Sequence, residues 1–271
     1  GGCDIMMIPI STYIAHGKKY GYPGVIPAVF SESVDADAVV AYKDALIGSE
    51  DRDVTINDLN SPSLRICVTP DSPSSFLLSA GMANFPLEAL RTTNVWKIET
   101  TGGSADAFNR FKNKQCDVAV LWEPNVSEAL ALQGVVQVYG SSQIGGTIVD
   151  VPVVHRDLLN NQEMLDAFFA THFAVLQFFS DPENEKLMVG DLKRITDFKS
   201  EEALRTALQK VTWYNLQSNC NEWFAVGSQV STTQRDRIRD VQRVDEDLPG
   251  LLIHWRRRLP RGLAGTGPSR A

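Results

Sequence analysis

The chain has 271 residues, 43% of them hydrophobic, and its 26 Lys and Arg against 33 Asp and Glu leave a net charge of −7. A chain of this length and apolar content buries enough surface to fold without disulfides or metals, which excludes intrinsic disorder as its main state. Its longest apolar stretches, 118–122 and 173–179, fall far short of the roughly 18 to 20 residues that a membrane-spanning helix needs. The charge is uneven: residues 255–271 hold five arginines and no acid, so the rest of the chain is distinctly acidic. An acidic body argues against nucleic acid as a partner, because Lys and Arg on phosphates supply most of that affinity. The basic end, rich in Pro, Gly and Ser, reads as a disordered terminus rather than a phosphate-seeking arm.

Cys3, Cys67, Cys116 and Cys220 are widely separated, with no C-x-x-C and no His at ligand spacing, so no metal site is signalled. Cys67 and Cys116 sit in apolar runs and are expected as core residues rather than a redox pair. The opening GGCDIMMIPI has neither a basic start nor a small-residue cleavage site. A signal peptide is therefore not expected within this chain, and either a processed form or a beginning outside the sequence accounts for that.

Taken in order, the segments alternate between strand and helix. Residues 3–10 form a short apolar run closed by proline, and Ser11-Thr12 offers a helix cap. Residues 25–30 and 36–42 read as strands, followed by a polar loop over 43–53. Residues 64–69 are a further strand, leading through Pro70-Asp-Ser-Pro-Ser-Ser75 into an amphipathic helix. The arrangement returns at strand 95–100, where Thr101-Gly102-Gly103-Ser104 leads a helix with Ala105, Phe108 and Phe111 on one face. Residues 117–122 suit a strand buried on both faces, with Glu123-Pro124 and a helix over 125–132 behind it. Strands at 135–139 and 146–155 follow. Leu165, Phe168, Phe169, His172, Leu176 and Phe179 then fall at helical spacing, and helices are expected at 182–192 and 200–210. The fold class is α/β, and no long internal repeat is present.

The usual catalytic and nucleotide-binding signatures are missing: there is no G-x-S-x-G, Walker loop or G-x-G-x-x-G, and the histidines at 16, 155, 172 and 254 are scattered. No catalytic residue, metal or cofactor is expected. What the chain offers is anion-binding apparatus, since helix N-termini present unpaired N–H groups and hydroxyls placed there add directed donors. Two such ends follow the strands that finish at Thr69 and Thr100, where ligands of open α/β sheets bind. Ser72, Ser74, Thr101, Gly103 and Ser104 are the candidates there, and helix capping is the competing role for the serines. Trp122 and Glu123 end a third strand, where packing and support of the next helix are the alternatives to ligand contact.

VFSESVDADAVV at 29–40, RICVTPDSPSSFLL at 65–78, ETTGGSADAFNRFKNKQCDVAVLWEPNVSEAL at 99–130 and VTWYNLQSNCNEWF at 211–224 resemble the nitrate, sulfonate, taurine and bicarbonate type of solute-binding protein of ATP-binding-cassette importers. Thiamine-pyrimidine-binding proteins are relatives of that family. The resemblance covers roughly residues 1–227 and is most specific over 99–130. It implies a two-lobed type II periplasmic binding protein fold, with crossings near 66–69 and 148–153. The larger lobe would comprise 1–69 with 151–254, the smaller 70–150, and 255–271 a basic tail. Members of the family begin with strand-helix units ahead of the segment that opens this chain, so the larger lobe is expected to lack them. The implied partners are a small anion or zwitterion and a membrane permease, and the implied location is extracytoplasmic. A ligand-sensing module of the same fold is the alternative, as is a thiamine-pyrimidine-related binding protein or enzyme, although the cysteine-rich motif of the latter is absent.

Overall fold

The computed structural model describes residues 3–145 and 148–224. The basic segment expected at 255–271 lies outside the described residues. In chain order the principal elements are β1 (Ile5–Pro9), α1 (Ile10–Gly17), β2 (Gly24–Val25), β3 (Ser31–Ser33), β4 (Asp37–Tyr42), α2 (Lys43–Ile47), β5 (Ile66–Val68), α3 (Pro73–Asn84), α4 (Glu88–Thr92), β6 (Lys97–Glu99), α5 (Gly103–Lys112), β7 (Val118–Trp122), α6 (Asn125–Leu130), β8 (Val135–Gly140), β9 (Val149–His155), α7 (Gln162–Phe179), α8 (Pro182–Ile195), α9 (Glu201–Gln209) and β10 (Val211–Trp213).

These strands form two layers flanked by helices, the first antiparallel throughout and the second mixed. In the first sheet β9 pairs antiparallel with β1 on one side and with β2 and β3 on the other, and β10 lies outside β3. In the second the order is β6-β5-β7-β4-β8, with β5 parallel to β6 and β7, and β4 antiparallel to β7 and β8. Its central strands are buried on both faces. Val39 and Ala41 of β4 join Ile66, Val68, Val118 and Val120 under α3, whereas Ala38, Val40 and Tyr42 turn the opposite way, toward α5 and α6. The period-two alternation of a strand thus supplies two cores from one run of apolar residues.

Among the described residues the chain passes between the sheets twice, after β3 ends at Ser33 and after β8 ends at Gly140. The first passage comes well before the expected crossing near 66–69, because β5 is an interior strand of the second sheet, paired on both sides. Both β4 and β5 precede residue 70 yet belong with β6–β8. Sequence alternation could not reveal this, since a strand reads alike whichever sheet it joins.

Local expectations shift for identifiable reasons. The strand expected over 25–30 shortens to Gly24–Val25, consistent with Pro27 having no N–H for a ladder. Pro9, at φ −60°, is the N-cap of α1, so Ser11 lies inside the first turn and does not cap. The polar stretch 43–53 opens with a helix, α2, which ends at Gly48 with φ +59°, a left-handed value that glycine adopts without a Cβ clash. In α7 only Leu165 is buried, and the expected apolar face meets the first layer through Phe30, whose ring lies among Phe168, Phe169, His172 and Phe173. No helix of the described residues is long and apolar enough to cross a membrane.

The expectation for the cysteines is corrected. Cys67 and Cys116 are fully buried, but they are bonded to each other, with Cα atoms 5.8 Å apart at a separation of 49 positions in sequence. Parallel pairing of β5 and β7 brings the two residues together; nothing in either apolar run announces the partner. Closing a loop of this length removes denatured-state entropy corresponding to about 2 to 4 kcal/mol. Replacing both residues by Ala, or reducing the bond, is therefore expected to lower the urea-unfolding free energy by about 2 to 4 kcal/mol, as read from denaturation curves with and without reductant.

Candidate functional site

The parallel strands β5 and β6 end side by side, and their last hydroxyls are tied, Thr69 Oγ1 to Thr100 Oγ1 at 3.1 Å. From this ledge two helices leave. At the start of α3, Ser72 Oγ donates to the Thr69 carbonyl (2.6 Å), while Ser75 Oγ donates to the Ser72 carbonyl and accepts from the Ser72 N–H. The hydroxyls of Ser72 and Ser75 are thereby occupied in building the turn. Ser74 differs: it is fully buried, and its Oγ has no hydrogen-bond partner among the described residues.

At the start of α5, Ser104 Oγ accepts from the Trp122 N–H (3.1 Å) and donates to the Trp122 carbonyl (3.2 Å), so its hydroxyl anchors the helix to the end of β7. Gly103 has φ +72°, and a Cβ there would stand 3.5 and 3.6 Å from Trp122 Cζ2 and Cη2, so this position combines a left-handed backbone with contact against the indole. Thr101 is exposed.

Glu123 closes β7 with its side chain only 6% exposed. Its carboxylate accepts from the Ser127 N–H (3.1 Å) and Ser127 Oγ (2.8 Å), in the first turn of α6, and from Lys210 Nζ at 2.6 Å. Lys210 stands just before β10 of the other sheet and also accepts the Val34 N–H through its carbonyl. The ion pair thus joins the two layers at a passage of the chain.

Beside it is a cavity of about 390 Å³. Ser33, Asp37, Trp122, Glu123 and Asp150 contribute its polar and aromatic wall, and Pro73, Leu204, Leu208 and Val211 an apolar one. Of the residues singled out in the sequence, Trp122 and Glu123 meet here; Ser72, Ser74, Thr101, Gly103 and Ser104 do not line the space. Asp37 and Asp150 were missed. Their signal was present, a lone acid at the head of DAVVAY and another within VDVPVV, since a charge inside a buried apolar run requires a reason.

Those two carboxyls share an unusual environment. Burial raises Asp37 to about 7, with the nearby charges of Asp150 and Glu123 pushing the same way and a hydrogen bond with Ser33 opposing. Burial raises Asp150 as well, opposed by the bond from Ser31 Oγ (3.1 Å). Neither forms an ion pair among the described residues. A carboxyl raised in the folded state holds a proton that the unfolded chain has released, so its contribution to stability is complete below about pH 4 and is lost as the pH rises to about 7. The unfolding free energy is expected to fall by up to about 1.4 kcal/mol per pH unit across that window, and Asp37→Asn to flatten the slope, as checked by urea midpoints between pH 4 and pH 8.

The seam between the layers carries a second unusual hydroxyl. Ser11 is 4% exposed, in the first turn of α1, and its Oγ has no hydrogen-bond partner among the described residues. Three residues on and on the same helical face, Ile14 packs against the core that α3 completes. His16 of α1 reaches Asp71, just before α3, at 3.7 Å. Among the described residues no three His, Cys, Asp or Glu side chains are grouped so as to hold a metal ion.

No protein-family model matches the chain, and no curated protein matches it in sequence. Solved structures do match in fold. The chain is similar to the periplasmic aliphatic sulphonate binding protein SsuA from Escherichia coli, at a TM-score of 0.62 and 14% identity, over 100% of this chain and 82% of that one. It is similar to the alkanesulfonate-binding protein SsuA from Xanthomonas axonopodis pv. citri bound to MOPS, at 0.60 and 13%, over 92% and 78%. A Candida albicans protein described as exhibiting the generic periplasmic binding protein fold matches at 0.57 and 12%, over 90% and 78%. The chain has the periplasmic binding protein fold.

Proposed function

We propose that this chain is the extracytoplasmic solute-binding component of an ATP-binding-cassette importer, which captures a small anionic or zwitterionic solute of the sulfonate class between its two layers and presents it to a membrane permease. The division that fits the sheet memberships is one lobe over 37–140 and the remaining described residues as the other, with the two chain passages as hinge. Recognition without chemistry is the function this reading assigns.

The observation that carries it is the pair of buried, unpartnered hydroxyls, Ser11 and Ser74, in the first turns of helices from opposite layers. A buried hydroxyl without a partner costs about 1 to 3 kcal/mol, and a sulfonate oxygen would supply the missing acceptor in both cases. First-turn N–H groups and the helix dipole favour the same negative charge. The likeness to sulfonate-binding structures supports the ligand class, and the buried disulfide supports an oxidising compartment outside the cytoplasm.

Titration calorimetry with short alkanesulfonates tests the reading, and the absence of binding to any of them overturns it. Ser74→Ala and Ser11→Ala are each expected to weaken sulfonate binding by roughly 1 to 3 kcal/mol while leaving the melting temperature unchanged or raised, because neither removes a bond present in the unliganded protein. A loss of stability without a loss of affinity would assign these hydroxyls to folding alone.

A further inference from the structure

We propose that residues 248–255 of this chain, LPGLLIHW, seat in the apolar groove between α7, α8 and the stretch that follows β10, with the arginines 256–258 directed toward Asp166. The inference stands independently of the solute-binding reading.

The groove exists because α7 has too little to pack on. Its sequence, QEMLDAFFATHFAVLQFF, is apolar on most sides, yet of its 18 residues only Leu165 is buried. A helix of this kind normally hides its apolar stripe against a neighbour. Phe169, Phe173 and Leu176 of α7, Met188 and Leu192 of α8 and Trp213 of β10 instead line an open volume of about 1340 Å³. On the same wall Val175, Trp213 and Leu216 are 45%, 49% and 58% exposed. The volume exceeds the roughly 300 to 1,000 Å³ that suits a small molecule, so a length of polypeptide is the occupant that fits. The charged residues of the wall, Asp166 and Asp191, are both acidic. Asp191 is paired with Arg194, whereas Asp166 accepts from Gln162 Nε2 (2.7 Å) and has no counter-charge among the described residues.

The occupant is identified by position, length and charge. The last described residue, Phe224, stands close to the groove: the Asn219 N–H donates to the Asn215 carbonyl (3.0 Å) and the Phe224 N–H to the Asn219 carbonyl (2.9 Å), a helical course. At about 1.5 Å per residue, that course puts Phe224 within about 14 Å of Asn215, which lines the groove. From there residues 225–247 reach up to about 75 Å when extended, against about 27 Å for the whole of α7, so the connection is ample. Within 225–271, residues 248–255 carry five apolar side chains in eight positions and no Asp, Glu, Lys or Arg. Extended, they measure about 26 Å, close to the length of α7. The arginines 256–258 follow directly and supply the cation that Asp166 lacks, while the acidic residues 245–247 precede, which fixes the direction of the segment. Apolar burial holds the segment, and the ion pair sets its register.

The test uses the full chain, with p-benzoylphenylalanine in place of Leu252 and an equal mixture of isotope-labelled and unlabelled copies. Irradiation followed by mass spectrometry is expected to join residue 252 to α7, α8 or the residues around Leu216 of the same chain. Cross-links between labelled and unlabelled copies overturn the inference and assign the groove to a second molecule; cross-links elsewhere, or none, overturn it outright. Hydrogen exchange on the unmodified chain gives a second readout, with the amides of 251–255 expected to exchange about tenfold more slowly than those of 262–271. Val175→Asp and Leu216→Asp alter exposed positions of the groove, so the core is left in place, and each is expected to speed the exchange of 251–255 about fivefold. Protection that survives both substitutions overturns the seat. Asp166→Lys is expected to speed the same exchange about threefold by repelling the arginines, and an unchanged rate overturns the assigned direction.

Discussion

Two adjacent passages of backbone carry the covalent connection between the sheets, and the bonds that lace them together govern the rest of the structure. Ser141 Oγ donates to the Ser33 carbonyl (3.0 Å), lies 2.9 Å from Ser33 Oγ and accepts the Asp35 N–H (2.8 Å). The Ser33 N–H reaches the Ile148 carbonyl, and the Phe30 N–H that of Asp150. Short hydroxyl and backbone bonds hold these passages in register, the arrangement that a hinge requires. Because Asp37 begins β4 directly after one passage and Asp150 is the second residue of β9 after the other, the same lacing brings the two carboxyls to a common wall. Charge in the cleft is thus a consequence of connectivity as much as of composition.

The chemistry of the site divides accordingly. Hydroxyls of Ser72, Ser75 and Ser104 are satisfied internally and build the turns from which α3 and α5 depart. Those of Ser11 and Ser74 are not, although all five lie near helix starts. Position within the turn does not decide the difference, since Ser11, Ser74 and Ser104 are each the second residue of their helix; a partner within reach does. Ser72, Ser75 and Ser104 can each reach a backbone group of the turn or of the neighbouring strand end, whereas Ser11 and Ser74 lie in first turns with no acceptor in reach. Glu123 follows the satisfied group, since Ser127 and Lys210 take up its carboxylate, and its role in supporting α6 and in joining the layers needs no solute.

Much of this was legible in the sequence. The strand-to-Ser/Gly-to-helix units after Thr69 and Thr100 appear as the parallel pair β5 and β6 with α3 and α5 behind them, because glycine, proline and hydroxyl residues mark local backbone geometry. The doubly buried strand at 118–122 was visible for the same reason, as a run with no polar face. What escaped was set by distance in the chain. The partner of Cys67 lies 49 residues away, Asp37 and Asp150 meet only through the fold, and Lys210 reaches Glu123 across 87 residues. Spacing along a sequence reports neighbours on one element, and these contacts lie between elements. The placement of the first passage failed likewise, since β4 and β5 carry no mark of the sheet they join.

The bond between Cys67 and Cys116 has a mechanical consequence. It turns the segment carrying α3, α4, β6 and α5 into a closed ring, so a pull on the two ends of the chain bypasses those residues altogether. Some 49 residues, or about 160 to 175 Å of extended backbone, would be hidden from such a force. The helix starts at Ser72 and Gly102 sit within that ring, and Trp122 follows just beyond its closing residue. Tension that opens the first sheet would therefore leave this face of the cleft gathered, as a knot leaves a loop of rope intact when the line runs taut.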